Sequence, residues 1–318
     1  MVSRLPVSLF FAIVLHLLPS ISHASERHAL VIGNSEYKIL DLKNPVNDAT
    51  DMAAQLQTMG YKLFSDGPLL DLDLVSMESA LQEFAESLPT GASAVFYYAG
   101  HGIANEHDNY LLPINSNLKS QFRLKDKTIG LRSIVRLLST YNTDGVNVLL
   151  LDACRNNPLT RSFRGSQPGL QQLNGLPRSM FIGYAAESGK VASDNVESDN
   201  GTYTGQLLES MEKYPQLEID ELHEVVANTV YEKTNGDQFP VSEDSIYGDW
   251  CFVECQSSPV PTLPPVKPTE VDIAINPTRN YWKIVGGIAL GLAVVALASE
   301  KDEPSPSQVG VLLDPPGQ

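Results

Sequence analysis

Three apolar runs constrain this chain more than any other feature. They read "SAVFYYA" (93–99), "VNVLLLDA" (146–153) and "MFIGYAA" (180–186). A strand with one wet face alternates polar and apolar residues; a continuous run suits a strand covered on both faces. Helical patterns lie between and around these runs. "PVNDATDMAAQLQTMG" (45–60) opens with Pro and Asn-Asp, carries Met52, Leu56 and Met59 at helical spacing, and ends in Gly60, a helix with start and stop signals. "LDLVSMESALQEFAESL" (72–88) and "GLRSIVRLLST" (130–140) are two more, and "YTGQLLESME" and "LEIDELHEVVANTVYEKT" follow near the end. "HALVIG" (28–33) and "YKLFSD" (61–66) complete the strands. Strands alternating with helices predict an α/β fold: a three-layer sandwich, its mostly parallel central sheet covered by helices on both faces. Such sheets bind ligands beyond the carboxyl ends of their strands.

Chemistry stands at two such ends. The first run leads into "GHG", with His101 between Gly100 and Gly102, and the second ends in "DAC", with Cys154. If the two strands are neighbours, both side chains reach one rim. A neutral imidazole there takes the proton of a thiol, and the thiolate is a nucleophile. The flanking glycines let a substrate backbone approach, and the amides of Gly102 and Cys154 are candidate donors to a developing oxyanion.

Composition narrows the partners. The formal net charge is −16, which argues against a nucleic-acid ligand, since phosphate binding needs a basic face. There is no glycine-rich loop of the kind that cradles phosphates, so a nucleotide- or flavin-binding module is disfavoured, and no cofactor is expected.

The two ends of the chain read differently. Arg4, then "LPVSLFFAIVLHLL", then "SHA" before Ser25 resemble an export signal, so residues 1–24 are set aside and the domain is expected over 26–255. Residues 256–280 are proline-rich and aperiodic, a stiff linker. Residues 281–299 are apolar, with Tyr281 and Trp282 as interfacial anchors, although the uncharged stretch from Ile284 to Ser299 is shorter than the roughly 20 residues a span requires. We read it as a membrane anchor, and 300–318 as a disordered tail. Arg279 and Lys283 precede the uncharged stretch and an acidic cluster lies mostly after it. That flank pattern would leave the linker in the cytoplasm, whereas the signal exports it; the signal is the stronger determinant. The expected location is therefore exported, periplasmic or extracytoplasmic, and membrane-anchored.

"YYAGHG" and "LLLDACRN", about fifty residues apart, resemble the paired motifs of caspase-like cysteine peptidases, in particular the metacaspase branch and its bacterial relatives. "LVIGNSEYKILDLKNPVNDATDMAAQLQTMGY" is similar to the opening strand, loop and helix of that fold, "NYLLPIN" to the hairpin after the histidine, and "FIGYAAESGKVASDNVESDNGTYTGQLLESM" to its small-subunit half, with "YGDWCF" as the closing strand. The resemblance implies peptide-bond cleavage by a dyad, His101 as acid and base and Cys154 as nucleophile. It also implies that Asp48 and Asp152 line the pocket for the residue before the scissile bond. Two carboxylates suit a guanidinium, so the expected substrate is a peptide or protein with Arg or Lys at the cut. Helix-terminal charge compensation is the plainer role for Asp48.

Calcium dependence, common in that branch, is not expected. "LPIN" places Asn115 where an Asp often stands, no paired aspartates follow, and calcium wants several oxygen ligands, mostly carboxylate. No metal site is predicted, and the acidic 193–201 stretch reads as a solvated loop near the substrate groove. Cys251 and Cys255 pair only if the chain turns between them; both outcomes stay open. The polar loop after Cys154 holds Arg161, Arg164 and Arg178, candidates for self-cleavage. The alternative function is a catalytically idle caspase-like module, tethered to a membrane and used for binding.

Overall fold

The computed structural model describes residues 25–38, 41–105, 108–116, 123–154, 170–187 and 198–255, Cys154 by its backbone. All of these belong to one compact unit, Met1–Pro259, while a second unit, Val260–Gln318, lies outside the described residues. The predicted signal (1–24), the linker from residue 256, the anchor (281–299) and the tail also lie outside them. Among the described residues no helix is long and apolar enough to cross a membrane.

The elements run β1 (Arg27–Gly33), α1 (Pro45–Thr58), β2 (Lys62–Leu63), β3 (Leu69–Leu70), α2 (Leu74–Ser87), β4 (Ser93–Ala104), β5 (Asn109–Leu111), β6 (Ile129–Gly130), α3 (Leu131–Tyr141), β7 (Val146–Cys154), β8 (Met180–Tyr184), α4 (Thr202–Lys213), α5 (Ile219–Lys233) and β9 (Val241–Asp244). The main sheet has the order β2-β1-β4-β7-β8-β9. Every neighbouring pair along it is parallel except β8–β9.

The apolar runs are central for the reason their composition suggested. Val95, Tyr97, Val148, Leu150 and Phe181 pack on one face against Met52 and Leu56 of α1, Leu207 of α4 and Val226 of α5. The alternate residues Phe96, Tyr98, Leu149, Leu151 and Ile182 pack on the other against Phe84 of α2 and Ile134 of α3. Each such large side chain, fully buried, contributes roughly 1.5–3 kcal/mol. The result is the expected three-layer sandwich.

Local signals account for the helix starts. α1 begins with Pro45, whose missing N–H belongs to a first-turn group that has no helical partner anyway. α2 is capped by Asp73, whose carboxylate accepts the Ser76 N–H at 2.9 Å; that bond holds the Asp73 carboxyl below its ordinary range. Asn115 accepts the Leu74 N–H at the same helix end.

Three elements differ from expectation. "YKLFSD" is a strand only at Lys62–Leu63 and then turns through Phe64–Asp66, where Ser65 and Asp66 both take positive φ. The closing strand is Val241–Asp244, not "YGDWCF". Residues 247–252 form no strand: Tyr247 is exposed, while Trp250, Cys251 and Phe252 are buried, with the Trp250 carbonyl accepting from Ile219 N–H. A disulfide joins Cys251 to Cys255, their Cα atoms 5.3 Å apart. Finally, β4 does not stop at Ala99. It continues to Ala104, paired by β7 through His101 and then by β5, which returns on it as a hairpin with Gly102 opposite Leu111.

Candidate active site

Because β4 and β7 are longer than the apolar runs alone, His101 and Cys154 lie within strands, not just past them. β4 and β7 are direct neighbours, and their parallel register sets His101 opposite Cys154. Asp152 lies opposite Ala99 in the same ladder. A strand period of two gives positions 152 and 154 the same face.

His101 is held firmly. Its N–H donates to the Tyr37 hydroxyl at 2.9 Å, and its carbonyl accepts from the Tyr98 hydroxyl at 2.9 Å and from Leu112 N–H at 3.0 Å. The Tyr37 ring lies 4.4 Å from the imidazole, tilted by 53°. The flanking glycines serve this packing. A Cβ on Gly100 would stand 2.5 Å from the Tyr37 hydroxyl and 2.6 Å from that of Tyr98. On Gly102 it would stand 2.9 Å from both Ala153 and Leu170. Space expected to admit a substrate backbone is, on these sides, filled by the protein's own groups.

Asp48 and Asp152, remote in sequence, meet at the start of α4. Asp48, in the first turn of α1, accepts the Gly201 N–H at 2.9 Å. Asp152 accepts from both the backbone N–H (3.3 Å) and the hydroxyl (2.6 Å) of Thr204. The Thr204 hydroxyl in turn accepts from Tyr97 at 2.5 Å. The helix terminus stabilises both carboxylates by its partial positive charge. Burial, and then the nearby Asp48 and Asp152, push the Tyr97 phenol well above its ordinary value, so it stays a donor. Thr204, Tyr97 and Tyr37 carry no sequence signal of this role; only the fold brings them in.

His101, Asp48 and Asp152 are 1%, 2% and 4% exposed. All three are buried. A cleft of about 850 Å³ opens elsewhere, between α2 and α3, and holds none of these residues. Among the described residues no group of three His, Cys, Asp or Glu is arranged to hold a metal ion. Arg161 and Arg164 lie outside the described residues. Arg178 is exposed, but its neighbours are tied down: the Ser179 N–H donates to the Ser245 carbonyl, and the Ser179 carbonyl accepts from Asn147 N–H.

A parallel sheet carrying a histidine and a cysteine in register on adjacent strands, beside a carboxylate pair, defines a candidate thiol-hydrolase site. The model of the caspase domain family matches residues 26–249, and the chain belongs to that family, one of cysteine-type peptidases. Over 170 residues it is 31% identical to the human mucosa-associated lymphoid tissue lymphoma translocation protein 1, and equally to the mouse homolog. That alignment covers 53% of this chain and 19% of each relative, so the chain spans about a fifth of their length. The crystal structure of protein GSU0716 from Geobacter sulfurreducens has a similar fold, with a TM-score of 0.54 at 15% identity over 73% of this chain and 98% of that one.

Proposed function

We propose that the protein is a cysteine endopeptidase that cuts peptide bonds after Arg or Lys. The observation that carries the reading is the register of His101 against Cys154 in a member of the caspase domain family. His101 takes the Cys154 thiol proton, the thiolate attacks the scissile carbonyl, and the imidazolium returns the proton to the leaving amine. Water then releases the acyl group by the same acid–base cycle. The amides of Gly102 and Cys154 are the proposed donors to the tetrahedral oxyanion. Asp48 and Asp152 receive the cationic side chain before the cut bond; their shared position at the start of α4 supports this.

The enzyme is proposed to be exported and held at a membrane through residues 281–299, its N-terminal 24 residues removed. The Cys251–Cys255 disulfide supports an oxidising compartment. Self-cleavage in the loop after Cys154 is proposed at Arg161 and Arg164. Arg178 is the poorer site, since a protease needs a free extended segment and Ser179 is bonded on both sides.

The test is incubation of the full-length protein with fluorogenic peptides bearing Arg, Lys or Asp before the reporter. The expected result is cleavage of the first two only, lost in Cys154→Ala and His101→Ala with the fold retained. Cleavage by Cys154→Ala at the wild-type rate overturns the dyad, and a preference for Asp overturns the pocket. Cell fractionation tests the location: a wholly soluble pool with an intact C-terminus removes the anchor.

A further inference from the structure

We infer that Tyr37 is a positioning residue for the imidazole of His101, with Tyr98 completing a two-hydroxyl clamp on the histidine backbone. The inference rests on the dyad reading above and concerns how that dyad is held.

The two hydroxyls share a small set of hydrogen bonds with the His101 backbone and the Leu112 carbonyl. The His101 N–H donates to the Tyr37 oxygen at 2.9 Å. The Tyr98 hydroxyl lies 2.9 Å from the His101 carbonyl and 3.0 Å from that of Leu112. The Tyr37 hydroxyl lies 3.1 Å from both the Leu112 carbonyl and the Tyr98 oxygen. Each phenol has one proton. Giving Tyr98's to His101 and Tyr37's to Leu112 puts both on carbonyl acceptors. Both polar groups of the His101 backbone are then tied to a tyrosine, and Leu112, beyond the hairpin, ties the pair to β5.

The same tyrosine also reaches the ring. With centroids 4.4 Å apart and planes tilted by 53°, the Tyr37 ring lies against the imidazole, and a neighbouring aromatic ring attracts the cationic form over the neutral one. The dyad needs that form when the thiol is ionised. Both tyrosines are buried, and their hydroxyls fill the space in which a Gly100 Cβ would stand. The glycine before the histidine is thus the room the clamp requires. A general base that drifts by about an ångström can lose on the order of a hundredfold in rate, so a clamp on backbone and ring together has a catalytic consequence.

The experiment compares full-length wild type, Tyr37→Phe, Tyr37→Leu, Tyr98→Phe and His101→Ala. The readouts are kcat and KM on an Arg peptide, thermal unfolding, and the pH dependence of Cys154 alkylation by iodoacetamide, followed by mass spectrometry. Tyr37→Phe is expected to lower kcat about tenfold at unchanged KM, and Tyr37→Leu about a hundredfold. Tyr37→Leu should also move the alkylation midpoint to higher pH. A merely structural tyrosine would lower the unfolding temperature and leave that midpoint in place, which overturns the inference. It is equally overturned if both Tyr37 variants keep wild-type kcat and midpoint while His101→Ala is dead. Should Tyr37→Leu not fold, Tyr37→Phe and Tyr98→Phe decide, since each removes only an oxygen; wild-type kcat in both overturns the clamp. A fully active His101→Ala defeats the dyad reading itself, which separates the two failures.

Discussion

The Oδ2 atoms of Asp48 and Asp152 stand 3.2 and 3.1 Å from the point that a Cβ on Gly201 would occupy. The glycine at the start of α4 therefore keeps open the space between the two carboxylates. Gly201→Ala puts a methyl there at a separation that forces one carboxylate to give way. The expected result is a KM for Arg and Lys peptides raised about tenfold, with kcat less affected. Asp48→Asn, which removes one charge-assisted contact of roughly 1.5–3 kcal/mol, should lower kcat/KM about ten- to a hundredfold. Steady-state kinetics on matched Arg and citrulline peptides measures both; equal effects on the two peptides would mean that the methyl and the charge do not act on a cation.

Thr204 links Asp152 to Tyr97 through one hydroxyl. Thr204→Val keeps the shape and removes the link, so a buried carboxylate loses a donor and a buried phenol loses its acceptor. Urea unfolding should show a loss of about 1–3 kcal/mol, accompanied by a higher KM for Arg peptides. Unchanged stability would show that another group takes over both bonds.

His223 reports on pH. It lies in α5 against the rings of Phe181 and Tyr203, 5.6 and 5.9 Å away between centroids. Burial pulls its pKa from 6.5 down to about 4. Between those values the unfolded chain binds a proton that the folded chain refuses, so the contribution is complete above about pH 6.5 and is lost as pH falls toward 4. The difference amounts to about 3 kcal/mol. His223→Phe removes this slope, and denaturant unfolding of the two proteins from pH 7 to 4 isolates it from the carboxylates, which titrate in both.

Self-cleavage should leave the halves together. β8 lies after the loop and pairs with β7 before it from Asn147 to Leu151. The returning chain is also strapped to β9, where Glu243 accepts from the N–H groups of Leu173 and Asn174 and from the Tyr184 hydroxyl. Wild type, but not Cys154→Ala, should give two bands on denaturing gels and one peak on native sizing. New N-termini are expected after Arg161 or Arg164. A wild type that cleaves peptides yet stays uncut removes processing from the mechanism.

Much of this was legible in the chain because it depends on neighbours in sequence. Unbroken apolar runs identify doubly covered strands, Pro45 and Gly60 bracket a helix, and "GHG" and "DAC" mark chemistry at the ends of two such runs. Local pattern misled where pairing decides. Val241–Asp244 has no apolar alternation and is a strand because β8 offers it an open edge, whereas in "YGDWCF" only Trp250, Cys251 and Phe252 enter the core, next to the disulfide, and Tyr247 stays exposed. β4 passes beyond Ala99 because β7 pairs with it through His101 and β5 folds back on it from Gly102 to Ala104.

The sequence by itself determined the layered α/β class, the family motifs and the two residues that carry the proposed chemistry. Only the tertiary structure decided what those residues meet. The opposition of His101 and Cys154 is a matter of sheet order and register, which no local period encodes. Asp48 from α1 and Asp152 from β7 converge because α4 packs over both, and Tyr37 reaches His101 because β1 and β4 are adjacent. Periodicity assigns a residue to a face; the long-range contacts that sheet and helix packing create determine its partners.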